Sequence, residues 1–336
     1  MSADAQAPVA ERAAPVTSRM RAAVIAAPRR VAVREVEKPK PAARQVLVRL
    51  DGCGVCASNI PPWQGKPWFN YPMAPGALGH ESWGRIEAVG DVTEFATGER
   101  VAMISNNAYA EYDVADVSAV VKLPPSLDGE AFPAEPLGCA MNIFKRAAIQ
   151  KGDTVAIVGI GFLGALLTQL ATAAGARVIA ISRREFALQF ARDAGAAHMI
   201  TMDDHQKIIE EVKQLTGGEF CDVVIEAVGK QWPLDLSAEL TRERGRLIVA
   251  GYHQDGPRQV NMQLWNWRGL DVINAHERDP AIYLAGMREA VRAVETGRMN
   301  PRSLYTHRFS LEQLGDALNM SAERPDGFMK ALIDLR

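Results

Sequence analysis

Two short clusters of potential ligands carry chemistry. Cys53-Gly54-Val55-Cys56-Ala57-Ser58-Asn59 is followed at a distance by Gly79-His80-Glu81. Cys-x-x-Cys alone is compatible with a redox pair or with half of a zinc knuckle. The chain has 4 cysteines, at 53, 56, 139 and 221, so no second Cys-x-x-Cys completes a four-thiolate site. Cys56, His80 and Glu81 instead offer a thiolate, an imidazole and a carboxylate. That mixed set suits zinc with one coordination position left open.

A third cluster is made of backbone rather than side chains. Val155-Ala156-Ile157-Val158 runs directly into Gly159-Ile160-Gly161-Phe162-Leu163-Gly164 and then an apolar helix. The first glycine allows a tight turn, the second lets the backbone approach a pyrophosphate, and the third permits close packing of helix on strand. The helix N-terminus offers free N–H groups to phosphate, so a dinucleotide is the expected ligand. At the end of the next strand an acidic residue would favour NAD and an arginine NADP. Ser182, Arg183 and Arg184 stand there, with no carboxylate before Glu185. NADP(H) is therefore the expected coenzyme, NAD(H) remaining possible if the arginines are solvated and Ser182 alone holds the ribose.

These clusters need elements to place them. From Met20 to about Leu123, short apolar or alternating runs (22–26, 45–50, 82–89) are punctuated by turn residues, the pattern of a β-rich, barrel-like unit. After Lys151 the rhythm changes to strand and helix in alternation: 154–158, 161–174, 177–181 and 184–194, with further strands expected at 222–225, 246–250 and 271–274. This is a doubly wound α/β pattern with a parallel sheet, whose ligands sit at the carboxyl edge. Helices over 281–295 and 311–320 and a strand-like 328–335 fit poorly as further layers, and are expected to rejoin the first unit. The division is then a catalytic unit of 19–146 and 279–336 and an inserted coenzyme unit of 147–278. Met1 to Ser18 is read as a disordered tail.

Composition narrows the class. The 336 residues are 48% hydrophobic, with 38 Lys+Arg against 40 Asp+Glu and a net charge of −2. That excludes a disordered chain and a disulfide scaffold, and leaves no basic footprint for nucleic acid or a membrane surface. No run of apolar residues is long enough to span a bilayer, and the first residues lack a secretory signal's apolar core. A cytoplasmic enzyme acting on a small molecule is expected, with its thiols reduced.

With Cys-Gly-Val-Cys-Ala-Ser-Asn at 53–59, Gly-His-Glu at 79–81, Gly-Glu-Arg-Val at 98–101, Glu-Pro-Leu-Gly at 135–138 and the glycine turn in view, the chain resembles the zinc-dependent medium-chain dehydrogenases. It is most similar to their polyol branch, typified by sorbitol and threonine dehydrogenases. The resemblance implies a GroES-like catalytic domain interrupted by a Rossmann domain, with one catalytic zinc between them. It implies Cys56 and His80 as ligands, with Glu81 as a third ligand or an exchanging carboxylate. Glu135 matches an acidic ligand position, and Cys139 could compete for that role. Ser58 matches the hydroxyl that bonds the reacting oxygen, and Lys330 a basic position near the coenzyme pyrophosphate.

Three departures accompany it. Asn59 replaces the usual Asp, so an amide oxygen would accept the imidazole N–H of His80. Pro61 stands where a relay histidine often occurs. The segment 102–124 has no cysteines for a structural zinc lobe, so a single zinc is expected.

For substrate, the aromatic loop Pro61–Tyr71, with Trp63, Trp68, Phe69 and Tyr71, is expected to border the cleft. Trp265, Trp267, His276 and Arg278, read as coming from the last strand of the parallel sheet, would line the opposite wall. The resulting expectation is a zinc-dependent, NADP(H)-preferring dehydrogenase of a secondary alcohol such as a polyol, sugar alcohol or cyclitol, assembled as a homo-oligomer, a dimer or tetramer. The alternatives are a zinc-free enone or quinone reductase, which has no use for the three ligands, and an NADPH-binding protein without catalysis.

Overall fold

The computed structural model describes residues 18–336. The expected tail, Met1 to Ser18, lies outside them except for Ser18. A hairpin of β1 (Arg19–Ala27) and β2 (Arg30–Glu37) opens the chain. It is followed by β3 (Gln45–Gly54), α1 (Ile60–Gln64), β4 (Ser82–Val89), β5 (Arg100–Met103), β6 (Tyr112–Asp116) and β7 (Val120–Lys122).

After α2 (Ala134–Ala147) the alternation begins, with β8 (Thr154–Val158), α3 (Phe162–Ala173), β9 (Arg177–Ser182), α4 (Glu185–Asp193) and β10 (His198–Thr201). It continues with α5 (His205–Leu215), β11 (Cys221–Glu226), α6 (Gln231–Leu240), β12 (Thr241–Val249), α7 (Met262–Arg268) and β13 (Asp271–Asn274). The chain closes with α8 (Pro280–Glu295), β14 (His307–Ser310), α9 (Leu314–Glu323) and β15 (Ala331–Asp334).

The alternating stretch makes one six-stranded parallel sheet in the order β10-β9-β8-β11-β12-β13. Its central strands are apolar without interruption because helices cover both faces: Val155 to Val158, Val178 to Ile181 and Val223 to Ile225 are all fully buried. The order reverses beside β8, so the crevice for a ligand opens at that strand's carboxyl end, where the glycine turn sits. The other sheet runs β14-β15-β3-β4-β5-β7, with β6 also paired to β3. The C-terminal β15 pairs antiparallel with β3 through Leu332–Gly54, Ile333–Cys53 and Asp334–Gly52. The end of the chain therefore pairs with a strand of its first third.

Several expectations shift. The strand expected from Arg246 starts at Thr241, because β11 pairs Cys221 with Thr241 and resumes register at Val223–Arg246 after an irregularity. Leu311 to Gln313 form a separate 3₁₀ turn ahead of α9, and Phe328 to Lys330 precede β15 rather than belonging to it. Trp265 and Trp267 lie on α7, not in a strand. Asn261 caps that helix by accepting Leu264 N–H at 3.1 Å, and Gly269 ends it at φ +58°.

Candidate metal and coenzyme sites

Gly54, the last residue of β3, is where the metal cluster is assembled. Its N–H donates to the carbonyl of Glu81 at 3.0 Å, and the next amide, Val55 N–H, donates to Ala331 at 3.0 Å. A Cβ on Gly54 would lie 1.9 Å from Glu81 Oε2, so a side chain there would displace the Glu81 carboxylate. Cys56 leads into a 3₁₀ turn, Ala57–Asn59, that carries Ser58 half-buried two residues after the thiol, and His80 and Glu81 enter just before β4. One ligand atom each from Cys56, His80 and Glu81 lies within 4.8 Å of the others, the single cluster of this kind among the described residues.

The orientation of His80 comes from the backbone. Its Nδ1 is 2.9 Å from the Leu78 carbonyl, which can only accept, so Nδ1 carries the proton and Nε2 is left for a ligand. Leu78 holds the left-handed conformation, φ +76°, rare for a branched residue. This corrects the expected role of Asn59. Its Nδ2 donates to the same Leu78 carbonyl at 3.1 Å, while its Oδ1 accepts Tyr109 Oη–H at 2.7 Å and Cys56 N–H at 3.3 Å. An aspartate has no donor for that carbonyl, which gives the amide at this position a physical reason. Asn59 thus positions the His80 carbonyl partner and the Cys56 backbone instead of touching the imidazole.

Charge is concentrated here. Lys330 Nζ sits 2.8 Å from Glu81 Oε1 and 2.6 Å from Oε2, with both side chains buried. Burial pushes the lysine down, but Glu81 and Cys56 outweigh it and hold its pKa above the ordinary value. Burial likewise pushes His80 down, yet Cys56, Glu135 and Glu81 bring it up to about 10. Glu135, in the first turn of α2, is buried, and burial raises its pKa against the pull of His80. Its Oε1 accepts the Cys139 thiol at 3.3 Å, and the Cys139 sulfur lies 3.8 Å from Tyr283 Oη. Cys139 is raised by burial and by Glu135.

A thiol, an imidazole and two carboxylates converge here, with Lys330 paired to Glu81 and Arg324 facing Cys56, and that donor set fits zinc. Cys56, His80 and Glu81 could hold the ion directly. Glu135 faces His80 from α2 without joining the compact cluster.

The glycine turn has the shape a phosphate needs. Gly159 is at φ +104°, and a Cβ on Gly164 would lie 2.0 Å from the Gly159 carbonyl, whereas one on Gly161 meets no atom within 4 Å. That open space is at the uncapped N-terminus of α3, which begins at Phe162 and Leu163. Ser182 ends β9, its Oγ accepting Arg184 N–H at 3.3 Å, and Arg183 is exposed.

Two residues assigned to the coenzyme are engaged elsewhere. Arg184 donates to the carbonyls of Phe328 and, at 3.4 Å, Ile160, so it fastens the glycine turn to the C-terminal segment. Lys330 reaches α3, its Nζ 4.9 Å from the centre of the Phe162 ring, but its ammonium is taken by Glu81. It is buried rather than solvated.

Of the aromatic loop, Trp63 is buried and donates to Asn319 at 2.8 Å, Tyr71 donates to Pro62, and Trp68 is 59% exposed. His276, just after β13, stacks on Tyr252 with ring centres 5.5 Å apart. Sequence reasoning missed Tyr109, Tyr283 and Glu226. The last had a readable signal, a carboxylate at the carboxyl end of an apolar strand of the coenzyme sheet.

Comparison with known proteins agrees with this architecture. The alcohol dehydrogenase GroES-like domain matches residues 42–125, and the zinc-binding dehydrogenase family matches residues 163–291. An alcohol dehydrogenase of Geobacillus stearothermophilus is 32% identical over 253 residues, covering 65% of this chain and 73% of that protein. A sorbitol dehydrogenase of Halalkalibacterium halodurans is 27% identical over 316 residues, 84% of this chain and 90% of that one. The crystal structure of a putative zinc-binding dehydrogenase from Sinorhizobium meliloti 1021, bound to NADP, superposes with a TM-score of 0.81 at 24% identity, covering 95% of this chain and 100% of its own.

A GroES-like unit joined to a Rossmann-like sheet, with a thiolate-imidazole-carboxylate cluster, defines a zinc-type dehydrogenase. The chain belongs to the zinc-binding, NAD(P)-dependent alcohol dehydrogenase family, oxidoreductases acting on CH–OH groups. No helix among the described residues is long and apolar enough to cross a membrane.

Proposed function

We propose that the protein is a zinc-dependent oxidoreductase that transfers hydride between NADP(H) and a secondary alcohol or its ketone, the alcohol being a polyol, sugar alcohol or cyclitol. The observation that carries this reading is the Cys56–His80–Glu81 cluster. Residues 19–146 and 279–336 form the catalytic unit, and 147–278 the coenzyme unit. Cys56 and His80 hold one zinc ion, with Glu81 or Glu135 completing the shell. When bound, zinc supplies Lewis-acid polarisation of the reacting oxygen. Lys330 holds the Glu81 carboxylate in place through both of its oxygens, and the Leu78 carbonyl holds His80 in the tautomer that ligates. Ser58 lies two residues from Cys56, placed to hold the substrate hydroxyl and pass its proton outward. Gly159 to Gly164 and the start of α3 take the pyrophosphate, and Ser182 with Arg183 takes the 2′-phosphate.

The polyol class is supported by the sorbitol dehydrogenase relative and by the exposed Trp68 in the loop between the two ligand segments, a face suited to sugar C–H surfaces. The test is elemental analysis of the dialysed full-length protein together with initial rates on a polyol and aromatic-alcohol panel, each with NADP and with NAD. One zinc per chain and fastest turnover of a polyol with NADP are expected. Absence of bound zinc, or activity restricted to enones and quinones, overturns the reading.

A further inference from the structure

The carboxyl end of β11 carries a buried polar chain that the sites above do not use. Glu226 is fully buried, and its Oε1 accepts Val228 N–H at 2.8 Å and Gly229 N–H at 2.7 Å. Its other oxygen, Oε2, is 2.9 Å from His253 Nε2. On the far side of the ring, Arg258 Nε donates to His253 Nδ1 at 2.9 Å, and Arg258 Nη2 donates to the Gly229 carbonyl at 3.0 Å. An arginine Nε–H can only donate, so Nδ1 holds a lone pair and the ring proton sits on Nε2, aimed at Glu226. His253 is thereby fixed as a neutral link between the loop after β11 and the loop after β12.

Those loops border the coenzyme crevice. A Cβ on Gly159 would strike Val228 Cγ2 at 2.4 Å, so the first loop packs on the glycine turn. With the pyrophosphate at that turn and the adenosine half over β9, the nicotinamide half lies over β11, β12 and β13. The residues flanking His253 reach outward from the second loop. Tyr252 stacks on His276 at the end of β13, and Gln254 Nε2 lies 3.5 Å from the carbonyl of Ala57, next to Cys56.

We propose that His253 is a positioning residue for the nicotinamide half of the coenzyme: clamped between Glu226 and Arg258, it holds loop 251–258 so that Tyr252 and Gln254 wall the crevice against the Cys56 segment. The proposal rests on the coenzyme reading above. Its test is equilibrium titration of the full-length protein with NADPH and, separately, with 2′,5′-ADP, which carries only the adenosine half. If NADH proves to be the coenzyme, NADH and AMP take their places.

His253→Leu leaves Glu226 and Arg258 facing an apolar side chain, and should weaken NADPH about tenfold or more while leaving 2′,5′-ADP unchanged. His253→Gln, which offers one donor and one acceptor, should restore most of the affinity. Arg258→Met, on the less buried side, should reproduce the selective loss and stands in if the leucine variant does not fold. Equal loss for both ligands, no loss in either variant, or no recovery with glutamine overturns the proposal. A wild-type protein that binds neither dinucleotide overturns the coenzyme reading itself, a different result from any of these.

Discussion

Everything the glycine turn contributes lies between Gly159 and Gly164, whereas the metal cluster draws on Gly54 to Asn59, Leu78 to Glu81, Glu135 and Lys330. The turn works by shape: a Cβ is forbidden at Gly164 and unopposed at Gly161. The cluster works by charge: a thiol, an imidazole and two buried carboxylates meet the Lys330 ammonium, paired to Glu81, and the Arg324 guanidinium facing Cys56. A shape-built site tolerates changes in its surroundings so long as its backbone survives. A charge-built site fails when any member is removed, because the remaining charges are left uncompensated in a low-dielectric interior. The difference predicts where substitutions act on chemistry and where they act on the fold.

The strongest separation is expected from Cys56→Ala. Metal affinity should fall by more than ~100-fold, taking alcohol turnover with it, while NADPH affinity stays as in the wild type because nothing in the glycine turn touches Cys56. Zinc content, turnover and a coenzyme titration on one preparation read all three. Parallel loss of coenzyme binding would mean that the two sites are not independent.

Lys330→Met tests the charge-built site from its structural side. It strands the Glu81 carboxylate at the edge of the cluster, and breaking a buried pair of this kind costs about 3–5 kcal/mol. A denaturant midpoint well below wild type is expected, lower still after zinc is stripped if, as proposed, the ion would neutralise Glu81. An unchanged midpoint in the metal-free protein would show that the pair contributes nothing.

The same contrast explains what the sequence disclosed. The parallel sheet is legible because its central strands are buried on both faces and its glycine motif is contiguous: 154–158 matches to the residue, whereas the largely exposed edge strand 271–274 is legible from its place in the strand-helix alternation. Cys56, His80 and Glu81 were legible as ligand types. Their supports were not, because Lys330 reaches Glu81 only through the pairing of β15 with β3, and Leu78 orients His80 through a carbonyl and a left-handed φ that no residue type announces. Arg184 shows the limit of reading side chains by type. A guanidinium beside the expected 2′-phosphate position spends its donors on two backbone carbonyls, and only three-dimensional packing reveals that.

The smallest expected effect lies in the shape-built site, at the one place where charge enters it. Ser182 is buried at the end of β9, with Arg183 exposed beside it. Ser182→Asp places a negative charge where a 2′-phosphate would lie and an acceptor where ribose hydroxyls would lie. The ratio of kcat/KM with NADP to that with NAD should fall by about tenfold or more, roughly 1.4 kcal/mol or beyond, with stability changed little. The fall should come from weaker NADP use together with stronger NAD use, as both a repulsion and a new bond are introduced. An unchanged ratio would move the phosphate site away from β9 and leave Arg183 a solvated surface residue.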